Sequence, residues 1–206
     1  MAFQKRPETS DTVATITLPL IYNRAQRNRL NKAFRAANGI KNCLIADRLN
    51  ALKQLEKTKA WRKNQKRIAY CYRTIKESED FLKSIKGKRK APIPAQRKET
   101  KASLKHANNL LQDSFKTREN LLEDCGLTQG AFENRIKKYR YPVRKLVHSQ
   151  VAQKTANDVW KSFQDYLYGS GKEIKFSSRF DFLTISGKSN DTGIHFQDGF
   201  IKTLHM

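Results

Sequence analysis

From Asn23 to Thr100 the chain carries 23 Lys and Arg against 6 Asp and Glu, so 78 residues hold +17 of its formal +23. A stretch so charged folds only if its apolar residues fall on one line and its cations on another, which is what a helix provides. Leu30, Phe34, Ala37, Ile40, Leu44, Leu49, Leu52 and Leu55 follow mostly at three- and four-residue steps, and the opposite face holds Arg24, Arg35, Lys41, Arg48, Lys53 and Lys57. Asn23 caps the front of this helix, with Gln26 as capping-box partner. Ile68, Tyr72, Ile75, Leu82 and Ile85 continue the pattern in a helix over about 61–86.

Gly87, Pro92 and Pro94 then break the helix, and the cations around them make 87–99 a basic, mobile loop. Helical spacing resumes with Leu104, Leu111, Phe115 and Leu122 and ends near Gly126. A short helix over 128–139 follows, and Pro142 separates it from a last helix over 143–168. There Val147, Val151, Thr155, Val159, Phe163 and Leu167 repeat every four residues, and Ala152, Ala156 and Trp160 widen the stripe, so this helix is buried against several neighbours.

The two ends differ in character. Residues 13–18 alternate and are rich in β-branched side chains, as in a strand, and Pro19 stops them. After Gly169 and Gly171, four short runs at 173–176, 182–185, 193–196 and 200–204 read as strands, with Asp198-Gly199 a strong hairpin signal. One strand in front and several behind predict an α+β, mostly helical fold: a small sheet or barrel with a helical bundle inserted after its first strand. The expected parts are 1–22 and 169–206 for the β structure and 23–168 for the helical lobe.

Several classes are disfavoured. The polar N-terminus lacks the apolar core of a signal peptide, and no window approaches the ~18 apolar residues of a membrane span, so a soluble, cytoplasmic chain without a membrane partner is expected. Cys43, Cys71 and Cys125 are too far apart for a Cys-x-x-Cys zinc site and read as buried reduced thiols. The four His residues show no paired metal spacing, and Asp191-Thr192-Gly193 follows a turn-like stretch, not the buried apolar strand a catalytic Asp needs. No cofactor, metal site or catalytic constellation is expected, and the chain is not read as an enzyme.

The order of elements and a few motifs resemble one family. Residues 149–163, from Ser149-Gln150-Val151-Ala152 to Trp160-Lys161-Ser162-Phe163, are similar to the Gln-led helix of TnpB-type transposon-encoded RNA-guided nucleases, relatives of the type V CRISPR effectors. Gly171-Lys172-Glu173-Ile174-Lys175-Phe176 resembles that family's following strand, and Ser186-Gly187-Lys188-Ser189-Asn190 with Thr192-Gly193-Ile194 its next hairpin. Asn42 and Leu44 fall near its Tyr-Asn-x-x-Leu helix, with Lys41 in place of the tyrosine. The resemblance covers nearly all of this chain and about half of such a nuclease. It implies an oligonucleotide-binding-like antiparallel wedge barrel interrupted by a recognition lobe, gripping a guide-type RNA and a double-stranded DNA target. The RuvC-like and zinc-ribbon parts are missing, so the chain is expected to be a truncated remnant or one subunit whose nuclease partner is a separate chain.

The residues themselves already point to nucleic acid. Lys57, Lys59, Arg62, Lys63, Lys66, Arg67 and Arg73 crowd into 17 residues with Trp61, Tyr70 and Tyr72 between them. Cations neutralise phosphates and release counterions, while aromatics stack on unpaired bases. The bland alternative is that the aromatics are core residues and the cations a solvated face. Lys53, Lys88, Arg89 and Lys90 extend this surface; Arg135, Lys137, Lys138, Arg144 and Lys145 form a second cluster around Pro142; Gln150, Lys154, Lys172 and Lys175 complete the candidates. Rival functions are a DNA-binding regulator and a basic RNA-binding protein without sequence preference.

Overall fold

The computed structural model describes residues 21–86, 93–169, 171–178, 194–197 and 200–203. Five α-helices make up most of them: α1 (Arg24–Lys57), α2 (Lys59–Ser84), α3 (Ile93–Asp124), α4 (Gln129–Arg140) and α5 (Ser149–Leu167). Asn23 begins α1 as the sequence predicts: its side chain accepts from the Gln26 N–H at 2.9 Å, and the Gln26 side chain accepts from the Asn23 N–H at 2.9 Å. Thr58 alone separates α1 from α2. Its hydroxyl donates to the Leu55 carbonyl and accepts from the Trp61 N–H, closing one helix while opening the next.

α2 and α3 form an antiparallel hairpin with a seam of heptad spacing. Trp61, Asn64, Ile68, Cys71, Ile75, Ser78, Leu82 and Ile85 alternate steps of three and four along α2, and all are buried or half-buried. From α3 the seam takes Thr100, Leu104, Ala107, Leu111, Ser114 and Arg118. Asn64 Nδ2 donates to the Ser114 carbonyl at 2.9 Å inside the seam, a polar bond that sets the register. That register puts Cys71 opposite Ala107 and Ser78 opposite Thr100, so layers of small side chains alternate with layers of Ile and Leu. The expected α2 face is thereby corrected: Tyr72 is exposed, and Cys71 takes the buried position.

α3 also begins earlier than expected. Pro94 lies in its first turn, where a missing N–H removes no helical bond, so 93–99 is helical and not loop. Its far end closes on Gly126, at φ +65°: the Leu127 N–H donates to the Leu122 carbonyl and the Gly126 N–H to the Glu123 carbonyl. A Cβ on Gly126 would stand 3.0 Å from Arg48 Nη1, which donates to the Gly126 carbonyl. The positive φ favours glycine there, and any larger side chain would have to push the Arg48 guanidinium aside.

The main core gathers Leu44, Ile45, Leu52 and Leu55 of α1, Trp61 of α2, Leu122 of α3, Phe132 and Ile136 of α4, and Val151, Ala156, Val159 and Phe163 of α5. Phe132 meets Trp160 and Phe163 edge-on, at ring separations of 5.3 and 5.0 Å. The last helix starts later than its apolar stripe suggested. Pro142 sits in a 3-10 turn, Tyr141–Val143, and α5 opens only after His148, whose ring accepts from the Gln150 N–H.

The expected β barrel does not form among the described residues. Among the described residues the only strands are β1 (Ile194–Gln197) and β2 (Phe200–Thr203), an antiparallel pair with Ile194 opposite Thr203 and Gln197 opposite Phe200. The strands expected at 13–18 and 182–185 lie outside the described residues. Residues 173–176 form no strand pairing among the described residues. The backbone that follows is held by α1: Asn42 Nδ2 donates to the Ser177 carbonyl at 2.9 Å, and Asn42 Oδ1 accepts the Ser177 N–H at 3.0 Å. Asn38 Nδ2 donates to the Ser178 carbonyl. One side-chain amide thus satisfies both groups that a neighbouring strand would take.

Candidate nucleic-acid interface

Because the seam buries one side of α2, the opposite side is fixed by helical geometry. Lys59, Arg62, Lys63, Lys66, Tyr70 and Arg73 fall within about 100° of arc and ~21 Å of length, and all are exposed. Tyr70 keeps 59% of its surface in solvent and stands one turn from Lys66 and Arg73. No acidic residue lies between Lys57 and Lys76, so no acid interrupts this arc, and Glu77 borders it one turn beyond Arg73. Arg67, Lys57 and Lys53 are exposed beside it, and Tyr72, 55% exposed, offers a second free ring. Trp61 does not belong here. It is 7% exposed and packed into the main core, which removes its ring faces from any base.

The second cluster is only partly a surface. Lys138 and Lys145 are exposed, Lys137 is exposed and donates to Asn134 Oδ1 at 2.8 Å, and Arg144 lies over the Tyr141 ring at 4.5 Å. Arg135 reaches Asp47, with Nε and Nη2 on the two carboxylate oxygens at 2.8 and 3.0 Å. Arg48 shares the same carboxylate at 2.5 Å. This triad ties α4 to α1, so Arg135 has a structural role, while 38% of its side-chain surface stays in solvent.

Of the remaining candidates, Lys154 pairs with Asp158 and Lys175 with Glu173, while Lys172 is exposed. Gln150 is half-buried, and its Oε1 is enclosed without a partner among the described residues. Lys88, Arg89 and Lys90 lie outside the described residues. Arg24, Arg27, Arg29, Lys32 and Arg35, which are not among the sequence-predicted contacts, are all exposed on α1. Their signal was available in the chain, since no Asp or Glu occurs from 24 to 46.

None of α1 to α5 carries an acid in its first turn. Soluble helices gain from Asp or Glu there, because the helix dipole leaves that end positive. Helix ends and side chains therefore add to the same positive potential. Among the described residues no three His, Cys, Asp or Glu side chains gather as a metal site, and no helix is long and apolar enough to cross a membrane.

The Asp47 triad makes a prediction about stability. Burial pushes its carboxyl up, but hydrogen bonds from Arg135 and Arg48, and their charges, outweigh this and hold Asp47 below the usual carboxylate range. A depressed folded-state value means that the contribution is complete above about pH 4 and is lost as pH falls through that lower value. Thermal melts between neutral and strongly acid pH should show Asp47→Asn with a flatter acid limb than the unmodified chain. Asp47→Ala strands Arg48, whose side chain is 12% exposed, and should cost about 2 kcal/mol in urea unfolding, below the full range for a buried pair because Asp47 keeps 22% of its side-chain surface in water.

No protein-family model, curated protein or solved structure matches the chain.

Proposed function

We propose that this protein binds nucleic acid without cutting it, taking RNA along the outer face of the α2–α3 hairpin. The observation that carries this reading is the α2 arc: five cations and Tyr70, all exposed, along ~21 Å with no acid among them. Five cations in that length can neutralise about five phosphates of a strand laid along it. Exposed Tyr70 and Tyr72 favour RNA with unpaired bases over a fully stacked duplex, because only a free base offers its π-face. The arc contains no side-chain set for phosphodiester chemistry, so holding, not cleaving, is the role proposed. A guide-type RNA and a separate nuclease subunit belong to the family resemblance, which rests on the residues that suggested it. A nucleic-acid partner suits a cytoplasmic location, and the free state of Cys43, Cys71 and Cys125 is compatible with it.

The purified full chain should retain cellular RNA and release it on raising salt. With a single-stranded RNA oligonucleotide, log affinity should fall linearly with log salt at about −0.7 per neutralised phosphate, giving a slope of about −3.5 for five. Fluorescence anisotropy across a salt series measures it. Binding that is absent at low salt would overturn the proposal. A discrete RNA species in the purified material favours a guide-type partner, whereas RNA of every length favours a packing role.

A further inference from the structure

The first three turns of α1 stand apart from the core. From Asn23 to Lys32 every residue is exposed except Leu30, which is half-buried, and the core contacts of α1 begin at Ala33. Within this projecting segment Arg24, Arg27, Asn28, Asn31 and Arg35 recur at the spacing of one helix face, inside about 100° of arc. Ala33, Ala37, Ile40 and Leu44 occupy the opposite side and are buried, so the arc points directly away from the protein. All five of its residues are exposed, and none makes a side-chain hydrogen bond or ion pair among the described residues. Asn23 and Gln26 cap the segment internally, which keeps it helical without an acid at its front.

This composition differs in kind from the α2 arc. The α2 arc is mainly Lys and Arg around a tyrosine, suited to phosphates and a loose base. The α1 arc alternates Arg with Asn. Arg makes paired hydrogen bonds to guanine, Asn makes them to adenine, and both patterns are presented on base edges in the major groove of B-form DNA. That groove admits an α-helix, whereas the deep, narrow major groove of an RNA duplex does not. From Arg24 to Arg35 the helix rises ~17 Å, which spans about five base pairs. We infer that the exposed front of α1 is a base-reading helix for duplex DNA, inserting Arg27, Asn28 and Asn31 toward base edges while Arg24 and Arg35 contact phosphates at either side. The inference rests on the nucleic-acid reading above and adds a second partner at a second surface.

The test is selection of duplexes by the full chain from a randomised DNA pool, followed by anisotropy with the enriched duplex, an unselected duplex and single-stranded RNA. A motif of about five base pairs containing G and A should emerge. Asn28→Ala and Asn31→Ala should each relax one position of the motif and weaken the enriched duplex about tenfold, with unselected DNA and RNA unchanged. Arg24→Ala should weaken enriched and unselected DNA alike and flatten the salt slope by about 1. Both asparagines are solvent-exposed and Ala is the better helix former, so circular dichroism should show no lost helix. An RNA-binding chain that enriches no duplex motif, or one whose motif survives the double Asn→Ala change, overturns this inference alone. A chain that binds neither RNA nor DNA overturns the proposed function with it.

Discussion

Reversing Lys59, Lys63, Lys66 and Arg73 to Glu lowers RNA affinity at low salt by about a thousandfold or more, and flattens the salt dependence by about 3 units of slope. Four phosphates lose their cations, and four carboxylates then face the strand across the same arc. The fold should tolerate the change. All four residues are exposed on the side away from the seam, and Lys59→Glu places an acid in a first turn that has none, where the helix dipole favours it. Circular dichroism and urea unfolding therefore serve as controls, and an unchanged slope would show that RNA lies elsewhere. Tyr70→Ala in the same assay should lose about 1–3 kcal/mol of binding, as expected for one stacked base, while Tyr70→Phe should bind nearly as the unmodified chain does.

Phe132→Ala is expected to be the most damaging single truncation for stability. Phe132 is fully buried between α4 and α5, with Trp160 and Phe163 against its edges. Deleting a buried aromatic ring costs about 3–5 kcal/mol, since the cavity closes only in part. For a chain of this size that lowers the melting temperature by roughly 6–20 °C. Phe176, at 55% exposure, supplies the contrast, and its truncation should leave the melt almost unmoved. Equal effects at the two positions would contradict the placement of the core.

The helices were readable where apolar side chains mark their buried face and a polar residue marks their start. Asn23 with Gln26, and the run from Ala37 to Leu55, are of that kind. The α2 seam was harder to read, because Asn64, Cys71 and Ser78 are buried in it without being strongly apolar. A pattern search based on hydrophobicity drifts from such positions to Tyr72, one residue round the helix and in solvent. Trp61 shows the converse ambiguity: a ring among cations suits base stacking or a core equally well, and only its place just after the break at Thr58, beside the end of α1 in the main core, decides for the core. The barrel was inferred from β-branched alternation at the ends. Alternation states a preference for extended chain but not the identity of the hydrogen-bond partner, and near residue 177 that partner proved to be a side chain. For the interface, the dense cluster at 57–73 announced itself, whereas the α1 arc is spread thinly over three turns. Its meaning appears only once Ala33 and Ala37 fix which way that helix faces.

The amide of Asn42 grips Ser177 by its main-chain N–H and carbonyl, atoms that every residue except proline supplies. The serine's own identity is invisible to this grip, so over evolutionary time the sequence at 177 is free to drift while its path over α1 persists. Position 42 has no such freedom: aspartate lacks the donor, and glutamine is one methylene too long.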